Sequence, residues 1–166
     1  MSQLYRHERI QDIGTQLFAA AGAEESQAAI ATAALVQSSL MGHDSHGVMR
    51  IPEYLGFIDD GSLKPAAETI ATETGPSTAR VDCGYGFGAV GGAVAIEKGI
   101  EIAREHQTAC VITRECNHVG RLGAYTQMAA DAGFIALATC NSPIYGHFVL
   151  PFGGKEGRLA TNPIAY

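Results

Sequence analysis

Ser45-His46-Gly47, followed by Arg50, sets a group that titrates near neutrality beside a permanent cation. Histidine can give or take a hydroxyl proton, and arginine can grip a carboxylate through two parallel hydrogen bonds. Val48, Ile51, Leu55 and Ile58 recur at helical spacing, which predicts a helix starting near Gly47, with Asp44 or Ser45 as its N-cap and a local irregularity at Pro52 in the second turn. If helical geometry reaches back to His46, its side chain and that of Arg50 share a face at about 5–6 Å between Cβ atoms. Ser45 could then orient the imidazole. The same residues also fit a capped surface helix with an ordinary histidine and a solvated arginine.

A second polar cluster, Asn117-His118-Val119-Gly120-Arg121-Leu122-Gly123-Ala124-Tyr125, falls between a strand end and a helix start, where ligands collect and free amides suit phosphate groups. Asn141-Ser142-Pro143 follows the next predicted strand at the equivalent place. The competing reading makes Asn117 and Ser142 turn or cap residues and Arg121 a solvated charge. His7, His43, His106 and His147 have no comparable setting and read as structural or exposed. Gly86, Gly88 and Gly91 satisfy G-x-G-x-x-G between a strand and a helix, the pattern of a dinucleotide loop. Glu115, 24 residues after Gly91, stands near but not at the acidic position of that fingerprint. Packing glycines at a helix entry are the alternative.

The elements that must position these groups change character along the chain. Ile10, Ile13, Leu17 and Phe18 form one apolar helical stripe, and an alanine-rich helix is expected from about Glu24 to Leu40, stopped by Gly42. Asp59-Asp60-Gly61-Ser62 ends the helical region, and Lys64-Pro65 marks a boundary between a helical segment, 1–65, and an α/β region, 66–166. In the latter, strands are expected at Thr69 to Glu73, Thr78 to Asp82 and Thr108 to Thr113, with a buried strand from Phe134 to Cys140. Helices are expected over Ala93 to His106 and Leu122 to Ala132. Alternation of this kind predicts a sheet with helices packed on it. The last residues look like the entrance to a strand.

The chain has 166 residues, 46% hydrophobic and 17% charged, with a net charge of -6, enough for a real core and without any Lys or Arg cluster. That argues against a nucleic-acid footprint or a polybasic membrane surface and favours small molecules or other subunits as partners. No apolar run approaches a spanning helix and no signal-peptide core is present, so a cytoplasmic location is expected. Cys83, Cys116, Cys110 and Cys140 form no C-x-x-C pair and read as reduced structural thiols, and no zinc-like ligand spacing stands out, so no metal is expected.

Taken together, His43-Asp44-Ser45-His46-Gly47-Val48-Met49-Arg50, Asn117-His118-Val119-Gly120-Arg121 and Thr161-Asn162-Pro163-Ile164-Ala165 resemble the malate/L-lactate dehydrogenase family, which includes ureidoglycolate dehydrogenase, diketogulonate reductase, sulfolactate dehydrogenase and piperideine-carboxylate reductase. The resemblance covers the N-terminal half of such proteins, so the chain looks like a fragment. It implies a non-Rossmann nicotinamide-binding fold, α/β with an N-terminal helical segment and a mixed sheet, and demotes the Gly86 pattern. It further implies NAD or NADP as cofactor, a small 2-hydroxy or 2-oxo acid or cyclic imino acid as substrate, and a homodimer at full length. On the matching positions, Ser45 and His46 fall on a proton relay, Arg50 on the substrate-carboxylate arginine and His118 on the second active-site histidine. Gly120, Arg121 and Leu122 fall along the cofactor loop, and Asn141 and Ser142 beside the nicotinamide. The family's relay aspartate would lie beyond Tyr166, so the chain alone is expected to show little or no turnover. Two other classes remain in view: a Rossmann-type nucleotide binder using Gly86 to Gly91, and a non-catalytic oligomerisation module.

Overall fold

A computed structural model describes residues 4–141 and 147–166. The chain divides into two compact units, Met1–Arg121 and Leu122–Tyr166. In the first, α1 (His7–Ala20) and α2 (Glu25–Leu40) pack together, and α3 spans Ile51–Asp59. The apolar stripe of α1 delivers Phe18 to a core shared with Ala28, Ala31 and Leu35 of α2, Ile51 and Tyr54 of α3, and Leu63, Phe87 and Val90. Burial of these faces is the main force holding the helices together.

The sheet of this unit has the order β1-β2-β3, with β1 at Ile70–Gly75, β2 at Thr78–Asp82 and β3 at Cys110–Arg114. β1 and β2 form the expected antiparallel pair, Ile70 opposite Asp82, with a bulge between Glu73 and Gly75. β3 joins β2 in parallel, Asp82 opposite Arg114, after a crossover through α4 (Gly88–His106). The sheet is therefore mixed, as expected. Its parallel strands send two loops from neighbouring carboxyl ends, one carrying Cys83 to Phe87 and the other Glu115 to Arg121, the edge at which open α/β sheets take ligands.

The glycine pattern does not form a phosphate loop. Gly88 and Gly91 lie inside α4, which begins earlier than Ala93. A Cβ on Gly88 would overlap the carbonyl oxygens of Asn117 and His118. That helix face is filled by the backbone of the histidine loop, and the glycine is there to let the loop pass. Gly88→Ala is therefore expected to destabilise the fold by about 1–3 kcal/mol, read as a lower urea midpoint, because backbone must shift to relieve the clash.

In the second unit α5 spans Gly123–Asp131, and β4 (Ala138–Thr139) pairs antiparallel with β5 (Ile164–Ala165). The expected buried strand from Phe134 to Cys140 shrinks to these two residues. Ile135 is 102% and Leu137 71% exposed, so the apolar run has no second layer over it here. A concavity of about 540 Å³ lined by Phe134, Ile135, Ile164 and Tyr166 contains none of the candidate catalytic residues. Among the described residues no helix is long and apolar enough to cross a membrane.

Candidate active site

The segment around His46 is not the start of a regular helix. Asp44–His46 and Val48–Arg50 form two separate 3-10 turns, and Gly47 between them is extended at φ -95 and ψ -156. A Cβ on Gly47 would overlap Ser39 Oγ on α2, and that hydroxyl accepts a hydrogen bond from the Val48 N–H at 3.1 Å. The break thus docks against α2 because position 47 has no side chain. α3 begins only at Ile51, with Pro52 in its first turn, where the missing N–H costs nothing. Neither Asp44 nor Ser45 caps it, and the irregularity expected at Pro52 is displaced to Gly47. His46 and Arg50 are consequently not a helical i, i+4 pair.

They nevertheless face one place. Ser45 Oγ lies 2.9 Å from His46 Nδ1. The His46 ring centroid is 5.0 Å from that of His118, brought in by the β3–α5 loop, and 4.8 Å from that of His43. His43 is therefore part of the imidazole cluster rather than an isolated residue. Arg50 Nε donates to the Ser45 carbonyl at 2.6 Å, and its Nη1 donates to Glu53 at 2.5 Å. With Nε occupied, the side-on fork expected for a carboxylate is not available. The end of the guanidinium, Nη1 and Nη2, is the part that could meet an anionic group.

Tyr54, which sequence reading assigned no role, joins the cluster from below. It is 4% exposed, packed against Phe18 and Phe87, and its hydroxyl lies 2.7 Å from His118 Nδ1 and 3.4 Å from the His118 carbonyl oxygen. Burial pushes its phenol pKa above the ordinary range, so the hydroxyl keeps its proton. The signal was present as Tyr54 four residues after Arg50, but an aromatic in a helical apolar stripe reads as core.

Burial pushes the His118 pKa down to about 4, with smaller contributions from neighbouring His46 and Arg50. Burial, then His43 and Arg50, also lowers that of His46. Both imidazoles are neutral at pH 7. Unfolded histidine titrates near 6.5, so the unfolded chain binds more protons than the folded one between about 6.5 and about 4. His118 therefore supports stability above pH 6.5, and this is lost as the pH falls toward 4. Urea midpoints across that window should drop less steeply in His118→Gln than in the parent protein.

The loop is held by Asn117, whose Nδ2 donates to the carbonyls of Tyr85 at 2.6 Å and Gly86 at 3.2 Å. Beyond His118, Gly120 adopts φ +73, and Arg121 follows with Nε and Nη2 buried and without hydrogen-bond partners among the described residues. A buried guanidinium with free donors suits an anionic group, so the loop fits the phosphate-bearing cofactor that the resemblance implies. Among the described residues no group of three or more His, Cys, Asp or Glu could hold a metal ion.

The model of one protein family, malate/L-lactate dehydrogenase, matches residues 5–166. The chain belongs to that family. It is 35% identical over 144 residues to the L-sulfolactate dehydrogenase of Methanocaldococcus jannaschii, covering 87% of this chain and 41% of that protein. It is 33% identical to the ureidoglycolate dehydrogenase (NAD(+)) of Escherichia coli, over 88% of this chain and 41% of the relative. Among solved structures, malate dehydrogenase from Pyrococcus horikoshii OT3 superposes with a TM-score of 0.89 at 34% identity, over 96% of this chain and 45% of the other. The chain thus spans less than half the length of these family members. Of the remaining sequence-derived site residues, Leu122 precedes α5 and Asn141 is exposed after β4, both in the second unit, while Ser142 lies outside the described residues.

Proposed function

We propose that this family member uses the His46–Arg50–His118 cluster as the substrate side of a nicotinamide-dependent dehydrogenase. The substrate is a small 2-hydroxy or 2-oxo acid of the malate or lactate type, or a cyclic imino acid. One observation carries the reading: two neutral imidazoles and a guanidinium, from segments more than sixty residues apart, converge over a buried tyrosine that hydrogen-bonds one of them. Bound NAD or NADP would supply hydride exchange at the substrate's C2. His118, Gly120 and Arg121 are the residues of this unit suited to hold it.

The chain's own part is positioning and proton transfer. Arg50 takes the substrate carboxylate on Nη1 and Nη2, releasing or sharing Glu53. In the oxidising direction His118 accepts the hydroxyl proton on Nε2 while its Nδ1–H donates to Tyr54, whose own proton turns to the His118 carbonyl. In the reducing direction the same imidazolium, its Nδ1–H still donated to Tyr54, gives its Nε2 proton to the substrate oxygen or nitrogen and returns to the neutral ring. His46, oriented by Ser45, lies beside His118 to pass the proton onward. A bound carboxylate offsets the Arg50 charge that disfavours protonation of both rings.

The test is oxidation of reduced nicotinamide by the intact protein that carries this chain, with a panel of 2-oxo acids and cyclic imines, beside His46→Ala. Acid-dependent turnover that His46→Ala removes supports the reading. Turnover that survives the substitution, or that needs no carboxylate on the substrate, overturns it.

A further inference from the structure

At the base of the His118 loop, two thiols meet over the first turn of α4. Cys83 follows β2 and is fully buried, and Cys116 follows β3 and is half-buried. Simple continuation of the parallel register beyond Asp82–Arg114 would bring Cys83 beside Glu115, not Cys116. Glu115, however, is left-handed at φ +50, which spends one residue on a turn and puts Cys116 on the α4 side of the sheet. A Cβ on Gly91 would lie 3.2 Å from Cys116 Sγ and would overlap Cys83 Sγ. Both sulfurs thus occupy the space that one absent methyl leaves open. The Cys116 side chain hydrogen-bonds the Cys83 sulfur, which draws the Cys83 thiol pKa below its ordinary value.

The backbone around the pair is pinned. Cys83 N–H donates to the Arg114 carbonyl at 3.1 Å, Tyr85 N–H to the Glu115 carbonyl at 2.6 Å, and Asn117 bridges back to Tyr85. Neighbouring strands lie about 4.8 Å apart, within the Cα separations that a disulfide accepts. Cys110 is exposed at the start of β3 and Cys140 belongs to the second unit, so neither competes for this contact.

We propose that Cys83 and Cys116 form a redox-modification site, a dithiol that a hydroperoxide closes to an intramolecular disulfide at the base of the His118 loop. One sulfur, as thiolate, attacks the peroxide O–O bond. It becomes a sulfenic acid, and the departing hydroxide leaves as water. The second thiol loses its proton and displaces the sulfenic oxygen as a second water, forming the S–S bond. Two thiols and one hydrogen peroxide thus become one disulfide and two waters, the sulfurs giving up the two electrons that reduce the peroxide. The new bond ties Cys116, two residues before His118, to the sheet.

The site stands apart from the catalytic reading and is tested without an activity assay. A variant carrying Cys110→Ser and Cys140→Ser retains the proposed pair alone. Mild hydrogen peroxide, followed by alkylation in denaturant and peptide mapping, should give a Cys83–Cys116 linked peptide, loss of two hydrogens from the intact mass, and reversal by dithiothreitol. Adding Cys116→Ala should abolish the linked peptide and leave Cys83 alkylatable or over-oxidised. The proposal fails if both thiols stay alkylatable after peroxide, if they oxidise singly to sulfinic acids, or if only intermolecular disulfides form. Circular dichroism of each variant guards against misfolding. Should Cys116→Ala not fold, linkage in the Cys110→Ser, Cys140→Ser protein decides alone.

Discussion

Replacing His118 by Asn is expected to lower kcat by roughly 10²- to 10⁴-fold, the usual contribution of a positioned acid–base group, while KM for the acid changes little. The asymmetry follows from the geometry. His118 contacts Tyr54 and His46, whereas the carboxylate is assigned to Arg50, so losing the imidazole removes proton transfer and leaves the anchor in place. Asn preserves an acceptor for the Tyr54 hydroxyl, which keeps a buried polar group satisfied and limits collateral unfolding. Tyr54→Phe should act in the same direction but less, since it removes the partner of Nδ1 and not the group that carries the proton. A His118→Asn protein with parental kcat and a raised KM would make His118 a binding group instead.

The helices were legible in the apolar stripe of α1 and the alanine-rich run of α2 with its glycine stop, and the β1–β2 pair in two β-branched runs around Gly75-Pro76-Ser77. Phe18 of the predicted α1 stripe is buried, whereas Ile13 and Leu17 of the same stripe are 43% and 41% exposed. The His46 turn was not legible, since its shape is set by Gly47 fitting onto Ser39 of a different helix, a contact that local spacing does not encode. For the same reason the Gly86–Gly91 pattern was ambiguous: the glycine spacing fits a nucleotide loop, and the His118 backbone lying on Gly88 decides for packing. Ser45, His46, Arg50 and His118 were legible as residue types suited to chemistry. That His118 stands against His46, and that Tyr54 reaches both core and site, depends on the β2–α4–β3 crossover. Ile135 and Leu137 misled in the opposite sense, because hydrophobicity was equated with burial.

Replacing Arg50 by Met should raise KM for the carboxylate substrate by roughly 100-fold, the order expected when a charge-assisted hydrogen-bonded pair is lost. Met keeps much of the aliphatic stem, so packing against α3 is largely retained while every donor goes. The substitution has a second consequence that a purely structural role would not produce. Arg50 lowers the pKa of both His46 and His118, so its removal should move both titrations upward, His118 from about 4 and His46 from below 6.5. The rise is partial, because burial is the larger cause for each ring and is unchanged. Arg50→Lys should recover part of the charge effect on the imidazoles but little of the affinity. An ammonium cannot bond the Ser45 carbonyl through Nε and still present two end-on donors to a carboxylate. A raised KM with unmoved imidazole titrations would mean that Arg50 meets the acid away from the histidines. Unmoved KM with shifted titrations would leave the carboxylate anchored elsewhere and reduce Arg50 to an electrostatic neighbour of the proton relay.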